Sequence, residues 1–166
     1  MGVFTGTQTN KVDKKGRVSV PKTFRALFEG EGFQGVFVFP SFRQAALEAC
    51  AESFMERIVD SLEDLPMFSD EQDDLSIIVE SAQRLPFDTE GRIVIPEEFL
   101  GDVGIRDEIT FVGRGRTFQM WAPGTYKDAR KPAFERAKSR GLTLKLRRPS
   151  DAARSHDGTA YPGSAA

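Results

Sequence analysis

A motif of twelve residues occurs twice in the chain, and its two copies align without a gap. The first copy is Asp13-Lys14-Lys15-Gly16-Arg17-Val18-Ser19-Val20-Pro21-Lys22-Thr23-Phe24, and the second is Asp88-Thr89-Glu90-Gly91-Arg92-Ile93-Val94-Ile95-Pro96-Glu97-Glu98-Phe99. Every paired position is displaced by 75 residues, as 88 − 13 and 96 − 21 show. Asp, Gly, Arg and Pro are identical, and Val or Ile occupies matching positions. This match without a gap indicates an internal duplication, so the chain contains two copies of one small unit.

Length and composition restrict the class of protein. A unit of about 75 residues buries too little surface to be stable alone, so the two units should pack together or against other subunits. The 166 residues are 39% hydrophobic and 29% charged, as in globular proteins. One cysteine, Cys50, excludes an intrachain disulfide and a multi-cysteine zinc site. We expect neither a signal peptide nor a membrane span, and therefore a soluble cytoplasmic protein.

The charge is distributed unevenly, although the net charge is only −2. In residues 1–25, Asp13 is the only acid among six bases, whereas in residues 48–80 Arg57 is the only base among eleven acids. The bases are Lys11, Lys14, Lys15, Arg17, Lys22 and Arg25. A basic patch on an acidic body can bind a polyanion, since the local field determines the contact. Solvated charged faces without a partner are the alternative interpretation.

The first copy is predicted to form a lead-in strand, a turn, a strand and a short helix. Asp and Gly favour the turn, and Pro21 is suited to the first turn of the helix. Alternation in the strand places Val18 and Val20 inward and Arg17 outward. The predicted bounds are Gly6–Lys11, Asp13–Gly16, Arg17–Val20 and Lys22–Phe28.

The segment after the strand Val36–Phe39 allows two interpretations. Ser41 with Gln44 resembles a capping box and would begin one long helix. The second copy instead has two strands here, Glu108–Val112 and Phe118–Trp121, joined by a turn. By analogy, we predict a returning strand at Ala45–Ala49 and a helix that begins near Ser53, which forms its own capping box with Glu56.

The remaining elements follow from start signals and from the repeat. A second helix should run from the Ser69 start signal to about Glu80. The second copy should then repeat the first, and a basic helix interrupted by Pro132 should follow. The predicted bounds are Gln83–Phe87, Asp88–Gly91, Arg92–Ile95, Glu97–Val103 and Gly124–Arg140. The residues from about Pro149 to Ala166 lack periodicity and are predicted to be a disordered tail.

The doubled Asp-x-x-Gly-Arg-(Val/Ile)-x-(Val/Ile)-Pro motif resembles that of the MraZ family, in the AbrB/SpoVT-like DNA-binding class. Further matching features are Phe4-x-Gly6, Phe24-Arg25, Phe111-Val112-Gly113 and Phe118-x-x-Trp121. The resemblance covers about residues 1–125. It implies an α+β fold with two tandem, pseudo-symmetric AbrB-like (SpoVT-AbrB) β units joined by a helical linker. The expected divisions are 1–52 and 81–125 for the units, 53–80 for the linker, 126–148 for a basic helix and 149–166 for the tail.

The resemblance also implies a function. It predicts a ring-shaped homo-oligomer that regulates transcription by binding short direct repeats of double-stranded DNA upstream of the division and cell-wall gene cluster. The protein would be cytoplasmic and associated with the nucleoid. An antitoxin-type protein-binding module of related fold, using the acidic linker or the tail, is the alternative.

The candidate DNA-binding residues lie in the two motifs. They are Lys14, Lys15, Gly16, Arg17, Gly91 and Arg92. Each arginine could contact a phosphate or a guanine, or could only pair with the Asp of its own motif. Asp13 and Asp88 should shape the turns and orient the arginines, since carboxylates repel phosphate. Thr89 and Glu90 replace Lys14 and Lys15, so we expect the first copy to bind DNA more strongly.

Other residues offer little chemistry. His156, the only histidine, lies in the predicted tail, and no histidine accompanies Cys50. No metal-ligand cluster, phosphate-binding glycine loop or nucleophile–base pair is visible, so we predict neither an enzyme nor a cofactor or small-molecule substrate. Phe118 and Trp121 are expected in the core or a subunit interface rather than as platforms for bases. The basic segment after Tyr126 could add DNA affinity or be a solvated helix.

Overall fold

A computed structural model describes residues 2–149, which form an α+β fold with a mostly antiparallel sheet and several short helices. The strands are β1 (Thr7–Lys11), β2 (Arg17–Ser19), β3 (Gly35–Pro40), β4 (Leu47–Cys50), β5 (Gln83–Pro86), β6 (Arg92–Val94), β7 (Glu108–Gly113) and β8 (Phe118–Trp121). The helices are α1 (Lys22–Arg25, continued by a 3-10 turn Ala26–Phe28), α2 (Glu52–Glu63), α3 (Asp70–Leu75), α4 (Ile77–Ser81), α5 (Glu97–Asp102) and α6 (Pro123–Ser139). The predicted turn, strand and helix of each motif are confirmed within a residue or two.

The strands of the two copies share one sheet. Its order is β1-β7-β8-β4-β3-β5, and every neighbouring pair is antiparallel. Each lead-in strand therefore pairs with the hairpin of the other copy: β1 joins β7, and β5 joins β3. The remaining strand of each copy, β2 or β6, pairs only with its counterpart. This exchange relates the copies by an approximate two-fold symmetry between β8 and β4.

The main core lies beneath the shared sheet and draws residues from both copies. Four phenylalanines pack at its centre, with ring centroids 5.1 Å apart for Phe4–Phe118 and Phe24–Phe118 and 6.0 Å apart for Phe111–Phe118. Val18 and Val20 are buried, as alternation predicted. Phe118 and Trp121 are buried as well, which excludes them as exposed platforms for bases. Burying large aromatic side chains from both copies binds the two halves into one cooperative unit.

The hairpin interpretation of the segment after β3 is confirmed. β4 occupies Leu47–Cys50, two residues later than its predicted start, and pairs with β3. Ser41 does not begin a long helix. Its hydroxyl oxygen accepts hydrogen bonds at 3.3 Å from the amides of Arg43 and Gln44 and so closes the turn between the strands.

The capping predictions had different outcomes. The predicted Ser53 cap is wrong, because α2 begins at Glu52 after Ala51, and no side chain caps it. The Ser53 hydroxyl donates instead to the carboxylate of Glu31, which also accepts the Ser53 amide at 3.2 Å. The Ser69 start signal is confirmed, since its hydroxyl oxygen accepts the Gln72 amide at 3.1 Å.

The helices between the two copies enclose an apolar groove. The helix predicted to run from Ser69 to Glu80 is divided into α3 and α4 at Ser76, whose hydroxyl donates to the Gln72 carbonyl at 2.7 Å. The groove has a volume of about 340 Å³ and is lined by Phe54, Arg57, Ile58, Ser61, Leu62, Leu65, Leu75 and Ile78. Near it in sequence, Met67 and Phe68 are strongly exposed, and the Phe68 side chain is 93% accessible.

The C-terminal helix agrees within one residue with the predicted bounds Gly124–Arg140 but is shorter than the division 126–148. α6 contains Pro132 and ends at Ser139, and Gly141 then has a positive φ of 56°. Residues 142–148 are not helical, so the basic helix does not extend to Arg148. The predicted tail from residue 150 onward, with His156, lies outside the described residues. In the described part of the chain, no helix is long and apolar enough to cross a membrane.

Cleavage of the chain between α2 and α3 should leave the two halves bound to each other. A protease site at the exposed Met67-Phe68 step would cut the connection without touching the shared sheet. After cleavage, a tag on one half should retain the other half through native purification, and the pair should unfold in one transition. A tagged half that stays folded after the other half is washed away would contradict the shared sheet.

Candidate nucleic-acid interface

The two motif arginines share one face of a two-stranded ribbon formed by β2 and β6. Val18 and Ile93 point inward from this ribbon and are each 1% accessible. Because side chains alternate across a strand, Arg17 and Arg92 point to the opposite, outer face. They occupy diagonal positions, which places their Cβ atoms about 7–8 Å apart. The register pairs Arg17 with Val94, Val18 with Ile93 and Ser19 with Arg92.

The Asp of each motif forms the same three hydrogen bonds. In the first turn, Oδ1 of Asp13 accepts the amides of Lys15 and Arg17 at 2.9 Å, and Oδ2 accepts Nε of Arg17 at 2.6 Å. In the second turn, Asp88 accepts the amides of Glu90 and Arg92 and then Nε of Arg92, at 2.8, 2.9 and 2.9 Å. Each carboxylate thus holds the backbone of its turn and the side chain of its arginine together.

Pairing with Asp leaves the outer end of the arginine available. Within the guanidinium of Arg17, only Nε is hydrogen-bonded to Asp13, and among residues 2–149 Arg17 has no other ion-pair partner. Its side chain is 37% accessible. The bond through Nε fixes the plane of the guanidinium while both terminal nitrogens remain donors. The two interpretations of this arginine are therefore compatible.

These hydrogen bonds also perturb the titration of the Asp residues. The backbone amide of Arg17 is the main cause that lowers the pKa of Asp13 below its usual 3.8, and the Arg17 side chain adds to the effect. The pKa of Asp88 is lowered in the same way, chiefly by the amide of Arg92. Both carboxylates are therefore ionised at neutral pH, as an acceptor of three N–H groups should be.

The second turn differs from the first in its charge. Oε2 of Glu90 lies 3.2 Å from Nη2 of Arg92, so this arginine faces two carboxylates. The hydrogen bond that Arg92 donates to Asp88, together with the charges of Asp88 and Glu90, raises the pKa of Arg92. In the first turn, the corresponding position is Lys15, which is exposed next to Lys14. The first arginine therefore lies in the more positive field.

Glycine is required at both turns. Gly16 and Gly91 have φ values of 80° and 74°, which side-chain-bearing residues rarely adopt. A Cβ on Gly16 would lie 2.6 Å from the carbonyl oxygen of Ile95, and one on Gly91 would overlap the guanidinium of Arg25. The Ile95 amide donates to the Gly16 carbonyl at 2.9 Å, so the first turn is bonded to the strand of the second copy.

Arg25 was not predicted to be a site residue, although the pair Phe24-Arg25 matches the family. It lies at the end of α1 in the first copy, and its guanidinium reaches the turn of the second copy. Its counterpart 75 positions later is Leu100, so the duplication gives no hint of a charge here. Only the exchange of strands places it beside Gly91. Proximity of a base to the second motif could not have been recognised without the pairing of β2 with β6.

The cleft beside the first turn and Cys50 offer no catalytic or metal-binding chemistry. A cleft of about 550 Å³ beside the first turn is lined by Val12, Asp13, Lys14, Lys15, Gly16, Ile95, Glu97, Leu100, Gly101, Ile105, Arg106 and Asp107. In the described residues, no three His, Cys, Asp or Glu side chains are grouped as metal ligands. Burial raises the pKa of the Cys50 thiol to about 12, so it stays protonated at neutral pH and is a poor nucleophile.

Comparison with known proteins gives consistent matches. The sequence model of the family described as "MraZ protein, putative antitoxin-like" matches residues 78–142. A protein of Rickettsia bellii (strain OSU 85-389) named "Transcriptional regulator MraZ" is 40% identical over 137 residues, covering 82% of this chain and 91% of that protein. Proteins of the same name from Parvibaculum lavamentivorans and Pelagibacter ubique are 41% identical over 128 residues and 36% identical over 144 residues. They cover 76% and 86% of this chain and 80% and 93% of their own lengths.

Replacing Gly16 by Ala should destabilise the fold more than replacing Gly6 by Ala. The two glycines have nearly equal φ values, 80° and 81°, but a Cβ at Gly6 meets nothing within 4 Å. Both variants carry the strain of a positive φ, and only Gly16→Ala adds a clash with a backbone oxygen, which should cost about 1–3 kcal/mol more. Urea denaturation measures the difference. Equal losses would show that the Ile95 carbonyl moves aside freely.

The two Asp residues should make stability depend on acid. Because their folded pKa values are lowered, the unfolded chain binds protons first as the pH falls. Their contribution is therefore complete above the ordinary value of 3.8 and is lost as the pH falls through the lower folded values. The double variant Asp13→Asn/Asp88→Asn should be less stable at pH 7 and lose less stability between pH 5 and pH 3. Urea denaturation across that range tests this, and an unchanged acid dependence would contradict it.

Proposed function

The chain belongs to the MraZ family, and from this premise we propose that it regulates transcription by binding double-stranded DNA through the β2–β6 ribbon. One observation carries the proposal: the arginines of both motifs lie on one outward face of a two-stranded ribbon. The relatives are named transcriptional regulators. The repeated motif, the basic first turn and the partly exposed arginine side chains all support DNA as the ligand.

The shape of the ribbon suits the major groove of B-DNA, which admits either a helix or a two-stranded ribbon. With Nε bonded to Asp13, the terminal nitrogens of Arg17 form a fork that matches O6 and N7 of guanine. Holding the guanidinium in place before binding reduces the entropy lost on contact. The arginines would thus read bases, and the Asp residues would position them without touching DNA.

Lys14 and Lys15 are proposed to contact backbone phosphates. Both are exposed on the first turn, next to the ribbon. Such contacts carry no sequence information but hold the ribbon in register on the duplex. Each phosphate contact should steepen the dependence of log K on log salt by roughly 0.9. Because Thr89 and Glu90 replace them in the second turn, the first copy should bind DNA more strongly.

The operator is proposed to consist of short direct repeats in the promoter of the division and cell-wall gene cluster, bound by a ring-shaped homo-oligomer in the nucleoid. Each ribbon presents little surface, so affinity would come from several subunits that contact successive repeats. Self-association is supported by the exposed Phe68 and Met67 and by the apolar groove between α2, α3 and α4. A projection that enters a groove on the next copy is a head-to-tail contact, and such contacts generate a ring when the rotation between copies closes.

The division of the chain is part of the same proposal. Residues 1–52 and 81–125 would be two AbrB-like units that exchange their lead-in strands, and residues 53–80 would be the linker between them. The shared sheet supports a common origin of the two copies, because each copy contributes three strands to it and one strand to the ribbon, in the same chain order.

A protein-binding module is the second candidate. It is favoured by one observation: Leu142, Leu144 and Leu146 alternate with polar residues outside any helix and are 67%, 86% and 81% accessible. A segment with this alternation can bind a partner by adding a strand to its sheet. Capture of a partner protein that persists without DNA, and is lost when residues 142–148 are deleted, would favour this candidate.

Arg17→Ala should abolish specific promoter binding, and Arg92→Ala should weaken it less. Loss of a bidentate arginine–guanine contact costs about 1–3 kcal/mol per site, and Arg92 already faces two carboxylates. Nuclease footprinting on the DNA upstream of the gene for this protein, followed by electrophoretic shifts of that fragment, would measure both effects.

Size-exclusion chromatography of each variant serves as the control for assembly and folding. An undisturbed oligomer with lost binding would support a role in DNA contact. Unchanged binding by Arg17→Ala would refute the ribbon as the interface, and equal losses in the two variants would show that the flanking lysines matter little.

A further inference from the structure

We propose that Arg25 completes the second DNA-binding site by holding a backbone phosphate beside the turn Asp88–Gly91. This inference rests on the proposed function and adds a residue of the first copy to the site of the second copy. The site is composite: Arg92 and the turn come from one copy, and the phosphate-binding guanidinium comes from the other. The ligand is a phosphate diester of double-stranded DNA.

The position of Arg25 is fixed at two points. Its Nε donates to the carbonyl of Val20 at 3.0 Å, directly before the proline that starts α1. Its guanidinium then lies against Gly91, where the missing Cβ provides the room. The Val20 amide donates to the Gly91 carbonyl at 3.2 Å, which ties the same two segments together. The guanidinium therefore stays beside the second turn without a ligand.

No acid in the described part of the chain pairs with the terminal nitrogens of Arg25. Among residues 2–149, Arg25 has no ion-pair partner, and its only side-chain hydrogen bond uses Nε. A half-buried guanidinium with two free terminal nitrogens matches the geometry of a phosphate, which it binds through parallel N–H···O bonds. The bond to Val20 fixes the group in the way that Asp13 fixes Arg17.

The second turn has no lysine of its own that could bind a phosphate. Where the first turn has Lys14 and Lys15, the second has a neutral Thr89 and an acidic Glu90, and the Glu90 carboxylate lies against Arg92. A phosphate that approaches this turn would meet net negative charge from the turn itself. Arg25 offsets that charge.

The reverse holds at the first turn. The residue of the second copy that corresponds to Arg25 is Leu100, which lines the same cleft as Gly16 and carries no charge. The first turn thus carries two lysines of its own, and its neighbour from the other copy is the apolar Leu100. The second turn carries no lysine, and its neighbour from the other copy is the guanidinium of Arg25. This complementary distribution favours a binding role for Arg25 over a structural one that both copies would need equally.

The alternative is that Arg25 only fastens α1 to the end of β2. Arg25→Gln and Arg25→Lys separate the two roles. Glutamine removes the charge but can still donate to the Val20 carbonyl, whereas lysine retains the charge and loses the planar fork. A purely structural role would change the urea midpoint of the protein and leave the salt dependence of DNA binding unaltered.

Fluorescence anisotropy with the footprinted promoter duplex, at several salt concentrations, tests the inference on the full-length chain. Arg25→Gln should bind about tenfold more weakly and should reduce the log–log salt slope by roughly 0.9 for each second site in contact. Arg25→Lys should keep the slope and lose less affinity. Arg43→Gln, which removes an exposed arginine from the turn between β3 and β4, should change neither quantity.

Combined variants locate the effect and separate the possible failures. The loss from Arg25→Gln should add to that from Lys15→Gln in the first turn but be smaller in an Arg92→Ala background, since Arg25 and Arg92 serve one site. If Arg17→Ala and Arg92→Ala weaken binding while Arg25→Gln keeps the affinity and slope of the original protein, the inference is wrong and the proposed function stands. If no arginine variant weakens binding, both are wrong. If Arg25→Gln is unfolded, a reduced slope in Arg25→Lys would equally overturn the inference.

Discussion

The rest of the structure depends on the exchange of strands between the two copies of the motif. Each copy alone would expose the edges of its hairpin, and the sheet removes this problem by pairing β1 with β7 and β5 with β3. The same exchange brings β2 against β6 and so creates the ribbon. The core follows from it as well, since Phe4 and Phe24 can reach Phe118 only when the halves interpenetrate. The same strand exchange therefore determines both the stability of the fold and the arrangement of the candidate site.

A single carboxylate in each turn fixes both the conformation of the turn backbone and the orientation of the arginine side chain. Asp13 accepts two amides and Nε of Arg17, so the turn and the guanidinium cannot be altered independently. An exposed ion pair of this kind contributes little to stability by itself. Its value lies in geometry, because an arginine held by Nε presents its two terminal nitrogens in a defined plane.

Local features of this fold could be predicted from the sequence, whereas its long-range pairings could not. The Asp and Gly of each motif indicated the turns, and alternation placed Val18 and Val20 inward, because both depend on near neighbours in the chain. Alternation shows which face of a strand is buried but not which strand lies beside it, so the exchange was missed. Ser53 failed as a cap because Glu31, 22 residues earlier, binds its hydroxyl and its amide. Arg25 was missed for the same reason, as its neighbour Gly91 is 66 residues away (91 − 25).

Joining the two copies in one chain has a consequence for the direction of binding. Two identical chains that formed the same ribbon would carry the same residues at both turns, and a reader with two-fold symmetry matches a palindrome. Here one turn carries Lys14 and Lys15, while the other carries Glu90 and has Arg25 of the first copy beside it. The two ends of the ribbon consequently differ in charge, although its backbone is nearly symmetric. Covalent duplication allowed each end to diverge, and a surface with polarity can distinguish the two directions along a duplex.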